Sequence, residues 1–484
     1  MWRRSFAPLL LIALLAPAGA PRNAREVVSD VTRTLGGADL KSIRYSGSGY
    51  VYFFGQAFEP GGAWPKFNLT SYTYLGDYQH GAAQEDIVRT QFENPPRGGG
   101  FQPVLGPQHW IFTLTGDSIW HVGSGAEFRP GAGVPSVSGT LEEHQARLAL
   151  TPQGWIKAAM ASKPVLTSKM ADGKKWTVVS FTWQGKYKIN GYIDEQNFLE
   201  RAETWIPASY AVSGDLHVEV NYFGYKGFGG VKFPTKIIEK QKEFPVLEVN
   251  VTDVTPNSPA QIEVPAGSEK TPPTATGPDS QEIRETRKLA DGVWMLHSRD
   301  ENSIAVEFKD YVAVIEAPIG DQFSLAVIAK IKQLAPNKPI RYLINTHTHF
   351  DHWAGMRTYV AEGVTILTAK ENVAYYNQAF HWPRTLYVPD ALALHPKPLK
   401  IQPVDDKYVL TDGARSVEIF SLPCDRHAMG SVMVYTQVPN AAFVTAGDTA
   451  PSCLAQTLDL QKIPTNPIEI APIHGGNVAP LARP

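Results

Sequence analysis

Three histidines and one aspartate lie within six residues of this sequence, in segment 345–352, which reads NTHTHFDH and directly follows a strand-like run. In an extended or turning segment, residues two apart point the same way, so His347 and His349 can reach one metal ion. Asp351 and His352 lie on the following turn and can reach a second ion. Imidazole and carboxylate groups suit zinc, iron or manganese. Because a chance match to this spacing is rare, the segment predicts a metal centre with room for two ions.

Two coordination shells need more ligands than this segment supplies, and three candidates lie downstream. They are His427, Asp448 and His474, and each directly follows a strand-like segment. A single histidine or aspartate after a strand is usually a turn residue. Three in succession, each after an apolar strand, favour ligands over turn residues.

The order of these elements resembles the metallo-β-lactamase superfamily of metallohydrolases over residues 282–484. The resemblance rests on the HxHxDH motif, then a histidine, a Gly-Asp pair and a final His-Gly. It implies an α+β fold, an αββα sandwich with the site at one edge, in which a hydroxide between two ions is the nucleophile and Asp351 is the catalytic residue. It also implies the ligands, which are His347, His349 and His427 for the first ion, Asp351, His352 and His474 for the second, and Asp448 as the bridge.

A bridging Asp448 bears on the substrate, since true β-lactamases of the superfamily usually lack an aspartate there. Members that carry one include thioester hydrolases, lactonases, phosphodiesterases and iron-dependent sulfur dioxygenases. The resemblance therefore implies a hydrolase of an ester, thioester, lactone or amide that binds two zinc ions, with iron or manganese as alternatives. Three other functions stay open: a mononuclear iron dioxygenase, a β-lactam hydrolase, and an apolar-ligand-binding protein whose metal domain is structural.

Two features depart from the superfamily pattern. The interval between Asp448 and His474 is short, so a helix that is usual there is expected to be missing or shrunken. Glu316 stands where many members carry an aspartate, and it is expected either to support a ligand or to be structural.

The elements that must position these residues fall into two groups. Residues 23–265 begin with a helical pattern and continue with aromatic and β-branched runs separated by turns, which predicts a β-rich antiparallel domain. On strand pattern alone, this part loosely resembles periplasmic lipoprotein-carrier half-barrels. The proline-rich stretch 266–280 predicts a linker. In residues 281–484, strands alternate with helices, which indicates an α/β layered domain with Asp321 as a helix cap.

Composition excludes several classes of protein. The chain has 484 residues, of which 43% are hydrophobic and 19% charged, values that fit a globular protein of two domains. Its 45 Lys and Arg residues nearly balance 47 Asp and Glu residues, so charge gives no case for a nucleic-acid partner. The expected partner is a small-molecule substrate, and the oligomeric state is left open.

The first twenty residues predict export. Arg3 and Arg4 precede a short apolar run and an Ala-Gly-Ala cleavage pattern at 18–20, which is typical of a signal peptide. The protein is therefore expected in the periplasm or outside the cell, and the paired arginines make the twin-arginine route an alternative. No later segment approaches ~18 continuous apolar residues, so no stable membrane span is expected. The two cysteines, Cys424 and Cys453, form either one disulfide or two buried thiols.

Other conspicuous residues are expected to have structural or surface roles. A glycine run at 98–100 lacks the strand–loop–helix context of a phosphate site, so a mobile surface loop is expected. His381 and His395 are expected on the surface. Tyr375 and Tyr376 fit helix packing and a position near the metals equally well.

Overall fold

The computed structural model describes residues 22–125, 139–171, 173–208, 213–268, 282–298, 301–463 and 468–481. The predicted signal peptide and most of the predicted linker lie outside these residues, so both stay predictions, as do the domain boundaries. Among the described residues, no helix is long and apolar enough to cross a membrane.

An antiparallel sheet of twelve strands dominates the first half of the chain. The strands of this half are β1 Ser42–Tyr52, β2 Lys66–Asp77, β3 Ala82–Gln91, β4 Gln108–Thr115, β5 Ser118–Ser124, β6 Val165–Ala171, β7 Lys174–Trp183, β8 Tyr187–Ile193, β9 Leu199–Pro207, β10 Asp215–Phe223, β11 Lys226–Phe228, β12 Val231–Phe233, β13 Lys236–Gln241 and β14 Phe244–Pro256. Strands β11 and β12 pair with each other, and the rest follow the order β5-β4-β3-β2-β1-β14-β13-β10-β9-β8-β7-β6. The prediction of a β-rich antiparallel N-terminal domain is confirmed.

Three helices pack on one face of this sheet and share its main core: α1 Ala24–Leu35, α2 Leu141–Ala149 and α3 Pro152–Met160. Asn23 caps the start of helix α1. Its side chain accepts from the Glu26 amide, and the Glu26 side chain accepts from the Asn23 amide. This capping box satisfies two amides at the helix start. The resemblance of this half to lipoprotein carriers stays a prediction.

The second half is a sandwich of two sheets between helices. One sheet contains β15 Glu285–Ala290, β16 Val293–His297, β17 Asn302–Glu307, β18 Val312–Ile315, β19 Ile340–Ile344, β20 Thr365–Ala369 and β21 Ile401–Val404. The other contains β22 Lys407–Thr411, β23 Ser416–Ser421, β24 Val432–Val438, β25 Ala441–Ala446, β26 Glu469–Ile470 and β27 Ala479–Pro480. The facing sides of the two sheets form a common apolar core. Because both faces of the inner strands are covered, strands such as β16, β18 and β24 are almost continuously hydrophobic.

Helices cover the outer faces of this sandwich: α4 Asp321–Leu334, α5 Phe350–Trp353, α6 Met356–Glu362, α7 Val373–Ala379, α8 Ala391–Leu394 and α9 Pro451–Leu460. A 3₁₀ turn, Lys370–Asn372, precedes α7. Helices α4 and α6 pack on the first sheet and α9 on the second. The predicted αββα sandwich is therefore confirmed.

Three local expectations need revision. Helix α9 occupies the short interval before His474, so of the two alternatives, a missing or a shrunken helix, the first was wrong. Asp321 does not cap α4, since Gly320 precedes the helix without a side-chain cap, and the Asp321 carboxylate instead accepts from Thr358 Oγ1 at 2.8 Å. Cys424 and Cys453 form a disulfide, which decides between the two alternatives.

The sandwich brings several strand ends to one edge. Strands β18 and β19 run parallel with Ile315 opposite Ile344, so the residues that follow the two strands lie side by side. Strands β23 and β25 both pair antiparallel with β24 and therefore point in the same direction, and β26 runs parallel to β25. Consequently, the loops after β23, β25 and β26 meet at a common edge.

Candidate metal centre

Two clusters of histidine and aspartate side chains lie at this edge. Each residue of a cluster offers one atom that can bind a metal, and these atoms all lie within 4.8 Å of one another. The first cluster contains His347, His349 and His427. The second cluster contains Asp351, His352, Asp448 and His474. All seven residues singled out in the sequence are thus brought together.

The first cluster presents three ring nitrogens that lack a hydrogen-bond partner. They are His347 Nε2, His349 Nδ1 and His427 Nε2. The opposite nitrogens of two rings are engaged, His347 Nδ1 with Thr346 Oγ1 at 3.0 Å and His349 Nε2 with the Ala57 carbonyl at 2.9 Å. Such contacts fix the tautomer and leave a lone pair on the free nitrogen. Because an unpartnered buried polar atom is costly, these three nitrogens fit a metal ion.

Burial also prepares the first cluster for metal binding. His347 and His349 are each only 1% exposed. Burial, followed by repulsion from neighbouring histidines, holds the pKa of both rings well below the usual value. The rings are therefore neutral, which is the form that binds metal.

The second cluster is more acidic and more open. His474 Nε2 lies 3.2 Å from Asp448 Oδ1 and 3.2 Å from His352 Nε2. His352 Nε2 is 3.7 Å from Asp351 Oδ2 and 3.7 Å from Asp448 Oδ2. Burial lowers the pKa of His352, but the nearby carboxylates of Asp351 and Glu316 outweigh burial and raise that pKa well above its usual value.

Asp448 lies between the two clusters. Its Oδ2 is 3.3 Å from His427 Nε2 in the first cluster, and its Oδ1 contacts His474 in the second. Burial raises its pKa, but the close imidazole rings of His352, His427 and His474 outweigh burial and hold the pKa well below the usual value. An ionised carboxylate at this position can contact ions in both clusters.

Glu316 orients His352 from behind. Its carboxylate accepts from His352 Nδ1 at 2.8 Å and from the Thr346 amide at 2.5 Å, and both side chains of the His352–Glu316 pair are fully buried. A carboxylate on the far nitrogen of a metal-binding histidine fixes its tautomer and raises its basicity. Of the two roles expected for Glu316, the geometry favours support of a ligand.

Gly447 leaves room for the first cluster. A Cβ atom at this position would lie 2.6 Å from His347 Nδ1 and 2.7 Å from Thr346 Oγ1. Any side chain here would therefore displace the His347 ring or its hydrogen-bond partner.

The N-terminal half contacts the centre directly through the loop between β1 and β2. Besides the Ala57 carbonyl on His349, Gln56 Nε2 donates to Asp351 Oδ1 at 3.0 Å. Gln56 is itself held by Gly99, whose amide donates to the Gln56 carbonyl at 3.0 Å. A Cβ atom on Gly99 would lie 1.8 Å from Gln56 Oε1, so only glycine fits this approach.

The glycine run at 98–100 is buried against this loop, so the expectation of a surface loop was wrong for these glycines. Gly98 also donates its amide to the Arg426 carbonyl at 3.0 Å, next to His427. Sequence reasoning missed Gln56 and Ala57 because neither belongs to a recognisable motif, and their partners lie almost three hundred residues away.

A second contact joins the two halves beside the centre. The Asp215 carboxylate accepts from the Thr385 amide at 2.9 Å, the Thr385 hydroxyl at 2.7 Å and the Leu386 amide at 3.0 Å. The Tyr387 hydroxyl accepts from the Ala208 amide at 2.6 Å and donates to the Gly214 carbonyl at 2.9 Å. These polar contacts join the N-terminal half to the C-terminal half.

The remaining candidates have structural explanations. His381 and His395 are exposed, as expected. The buried Tyr376 hydroxyl donates to Asn345 Oδ1 and lies 3.2 Å from the His347 carbonyl, so Tyr376 steadies the ligand loop. Tyr375 lies in the wall of a cavity between the two halves.

A third group of potential ligands, Glu203, His217 and Glu219, lies on the N-terminal sheet. Glu203 already accepts from His217 Nε2, Tyr192 and Asn190, at 3.0, 2.6 and 2.8 Å. Burial raises the pKa of Glu203, but these hydrogen bonds outweigh it and lower the pKa to about 2. Because its carboxylate is satisfied by the protein, this group is a structural polar network.

Comparison with known proteins identifies the C-terminal half. Residues 299–479 match the sequence profile of the metallo-β-lactamase superfamily, so this part of the chain belongs to that superfamily. A search of curated proteins found no match to the chain.

Similar solved structures include three metallo-β-lactamases. One from Pontibacter korlensis is 17% identical, with a TM-score of 0.32 over 41% of this chain and 94% of that one. One from Cronobacter sakazakii with an HARLDQ motif is 14% identical, with a TM-score of 0.32 over 40% and 80%. One from Hirschia baltica is 18% identical, with a TM-score of 0.30 over 40% and 92%. The superfamily assignment rests on the sequence profile and the αββα sandwich.

Proposed function

We propose that this protein is an exported hydrolase that binds two divalent metal ions, preferably zinc, and cleaves an ester, thioester, lactone or amide. The observation that carries the proposal is the set of three unpartnered ring nitrogens in the first cluster, which faces a second cluster through Asp448. In this proposal the first cluster would hold one ion and the second cluster would hold the other, and Asp448 lies between the two clusters.

Each group of the site has a defined task in this reaction. Two bound ions supply Lewis acidity and lower the pKa of a bound water toward ~7. Gln56 holds Asp351 Oδ1, which leaves Oδ2 directed toward His352 and His474 at 3.7 and 3.9 Å. Asp351 is thereby positioned to orient the attacking water and to take up its proton.

Two of the alternatives are less well supported. A mononuclear iron dioxygenase would use the three histidines of the first cluster, but it would leave the two carboxylates of the second without a task. Structural zinc usually occupies sites rich in cysteine, whereas the two cysteines of this chain are joined in a disulfide. β-Lactam cleavage remains a second candidate reaction, since it requires the same clusters.

Export is supported by two observations. Residues 1–20 carry the pattern of a signal peptide. The Cys424–Cys453 disulfide is typical of proteins that fold in an oxidising compartment.

The test is a hydrolysis panel on the mature protein, purified without chelator, with metals quantified in the same sample. The panel contains an aryl ester, a thioester, an acyl lactone, a phosphodiester and a chromogenic cephalosporin. We expect two zinc equivalents per chain and cleavage of at least one of the first three substrates. Chelator-treated protein is the control. One iron, no zinc and no hydrolysis would contradict the proposal.

A further inference from the structure

A cavity of about 370 Å³ lies between the two halves of the molecule, with His349 of the first cluster in its wall. Aromatic side chains from both halves supply much of the lining, including Phe54, Trp64 and Phe244 from the N-terminal half and Phe350, Trp353 and Tyr375 from the C-terminal half. Small-molecule pockets typically measure ~300–1,000 Å³ and are mostly apolar with a few polar groups. The cavity has this size, and its lining combines aromatic rings with several polar groups.

The aromatic rings form a continuous wall across the domain boundary. The Phe54 ring centroid lies 4.5 Å from that of Trp64 and 6.1 Å from that of Phe350. The Trp353 centroid lies 5.7 Å from that of Tyr375. Neither half would form this wall alone, so the cavity exists only when the two are assembled.

One lysine side chain lies beside this aromatic wall. Among the described residues that line the cavity, Lys242 is the one ammonium or guanidinium group. Its Nζ lies 3.0 Å from the ring centroid of Trp382. Lys242 forms no ion pair with the described residues, and burial lowers its pKa to about 7. Contact with an aromatic face compensates only part of the cost of burying an ammonium group.

The acidic residues of the cavity do not neutralise Lys242. The Asp215 carboxylate is occupied by Thr385 and Leu386. Glu243 is exposed to solvent. His217 donates from Nε2 to Glu203 as part of the polar network. A negatively charged ligand would therefore find an amine that has no carboxylate partner among the described residues, and the ligand's charge would favour the protonated ammonium form of Lys242.

We propose that this cavity binds the apolar body of the substrate, an aromatic or alkyl group that carries a carboxylate, and that Lys242 pairs with this carboxylate. The inference rests on the proposed function, since it names the substrate class of the same centre. The scissile bond would lie at the His349 end of the cavity. Lys242 is thus a specificity-determining residue contributed by the N-terminal half.

The test uses 4-phenylbutyrate and its uncharged analogue 4-phenylbutanol as probes of the full mature chain. Binding is followed by quenching of tryptophan fluorescence, because Trp64, Trp353 and Trp382 line the cavity. We expect saturable binding of 4-phenylbutyrate that Lys242→Met weakens at least ~10-fold, a size typical of losing a charge-assisted contact. Binding of 4-phenylbutanol should change less than ~2-fold, since it cannot form an ion pair.

A matched control is Lys240→Met. Lys240 is two residues away and lies 3.8 Å from Glu219, outside the cavity, so both probes should bind this variant as they bind the unmodified protein. The titrations are repeated after chelator treatment, because a carboxylate can also bind a metal ion directly. Binding of 4-phenylbutyrate that disappears with the metal but is unaffected by Lys242→Met would overturn the inference, as would the absence of saturable binding.

These outcomes are separable from the proposed function. If 4-phenylbutyrate binds without help from Lys242 while the hydrolysis panel succeeds, the cavity assignment is wrong and the hydrolase stands. If binding depends on Lys242 but no substrate of the panel is cleaved, the hydrolase proposal fails and the anion-binding cavity stands.

Discussion

The two clusters of the candidate centre differ in charge, burial and support. The first consists of three imidazoles, two of them almost fully buried, and one of these, His349, donates to the Ala57 carbonyl of the N-terminal half. The second contains two carboxylates whose side chains are 21% and 30% exposed, and its buried His352 is held by Glu316 of the same domain.

Opposite pKa shifts follow from these surroundings. Burial keeps His347 and His349 neutral, whereas neighbouring carboxylates outweigh burial and raise the pKa values of His352 and His474. The same residue type, histidine, therefore has a lowered pKa in the first cluster and a raised pKa in the second, because its neighbours differ. The first cluster can take up an ion with little proton release, whereas the second must release protons to do so.

The largest effect is expected from His347→Ala. This change removes one of three ligands that no neighbouring side chain can replace, so the first ion and nearly all hydrolysis should be lost. Metal analysis and turnover of the best panel substrate measure the result. The exposed His395→Ala is the control and should behave as the unmodified protein. Full metal content in His347→Ala would contradict the assignment of a separate ion to the first cluster.

Asp448→Asn should act mainly on the second cluster. It keeps the size of the side chain but removes the negative charge next to both clusters. We expect loss of the second ion and a fall in kcat of at least ~10²-fold, which is typical of removing one well-placed electrostatic group. Asp405→Asn, at a position with a 72% exposed side chain, is the control. Two retained metals with near-normal turnover would show that Asp448 does not bridge.

Glu316→Gln should weaken the second cluster without touching a ligand. The amide cannot accept from both His352 Nδ1 and the Thr346 amide, so the His352 ring loses its fixed tautomer. Loss of such support typically costs ~10–100-fold in metal affinity. Competition with a chelator measures the affinity, with the exposed Glu362→Gln as the control. A larger loss of metal affinity in the first cluster than in the second would contradict this prediction.

Acidification should empty the two clusters at different pH values. As pH falls, protons first occupy groups whose pKa is raised, which here are His352 and His474, and only later the groups whose pKa is lowered, His347 and His349. Metal content after dialysis at stepwise lower pH should therefore show one ion leaving before the other. Simultaneous release of both ions would argue against a difference in histidine pKa between the two clusters.

The smallest effect is expected from Gln56→Ala. This change removes one hydrogen bond to Asp351 and should lower affinity for the second ion only ~3–10-fold, about the value of one charge-assisted hydrogen bond. Competition with a chelator measures the metal affinity. Gln79→Ala, which changes an exposed glutamine on another loop, is the control. An effect confined to protein stability, with unchanged metal affinity, would show that Gln56 only packs.

Several secondary structure elements have local signals in the sequence. Alternation or helical spacing within a few residues accounts for strand β8, helix α4 and strand β19. Details that depend on neighbours failed: Asp321 binds Thr358 across to α6 rather than capping α4. The alternative between free thiols and a disulfide could not be decided from sequence spacing either, since it depends on how α9 lies against the loop after β23.

The seven clustered side chains could be named from the sequence because their motif is local and follows strand ends. Their division into two clusters came from the superfamily resemblance, and the structure brings the same residues together at one edge. The N-terminal contribution could not be inferred in this way. Gln56, Ala57 and Lys242 sit in loops with no motif, and only the packing of one half against the other brings them to the site.

The sequence by itself therefore determined which side chains can bind metal, since ligand chemistry and strand periodicity are written in short segments. The tertiary structure alone decided which neighbours tune them. Three such contacts join residues far apart in the chain. They are the hydrogen bond of His349 to the Ala57 carbonyl, that of Asp351 with the Gln56 side-chain amide, and the contact of Lys242 with the Trp382 ring. Burial and hydrogen bonding at such distances arise only when the two halves pack together.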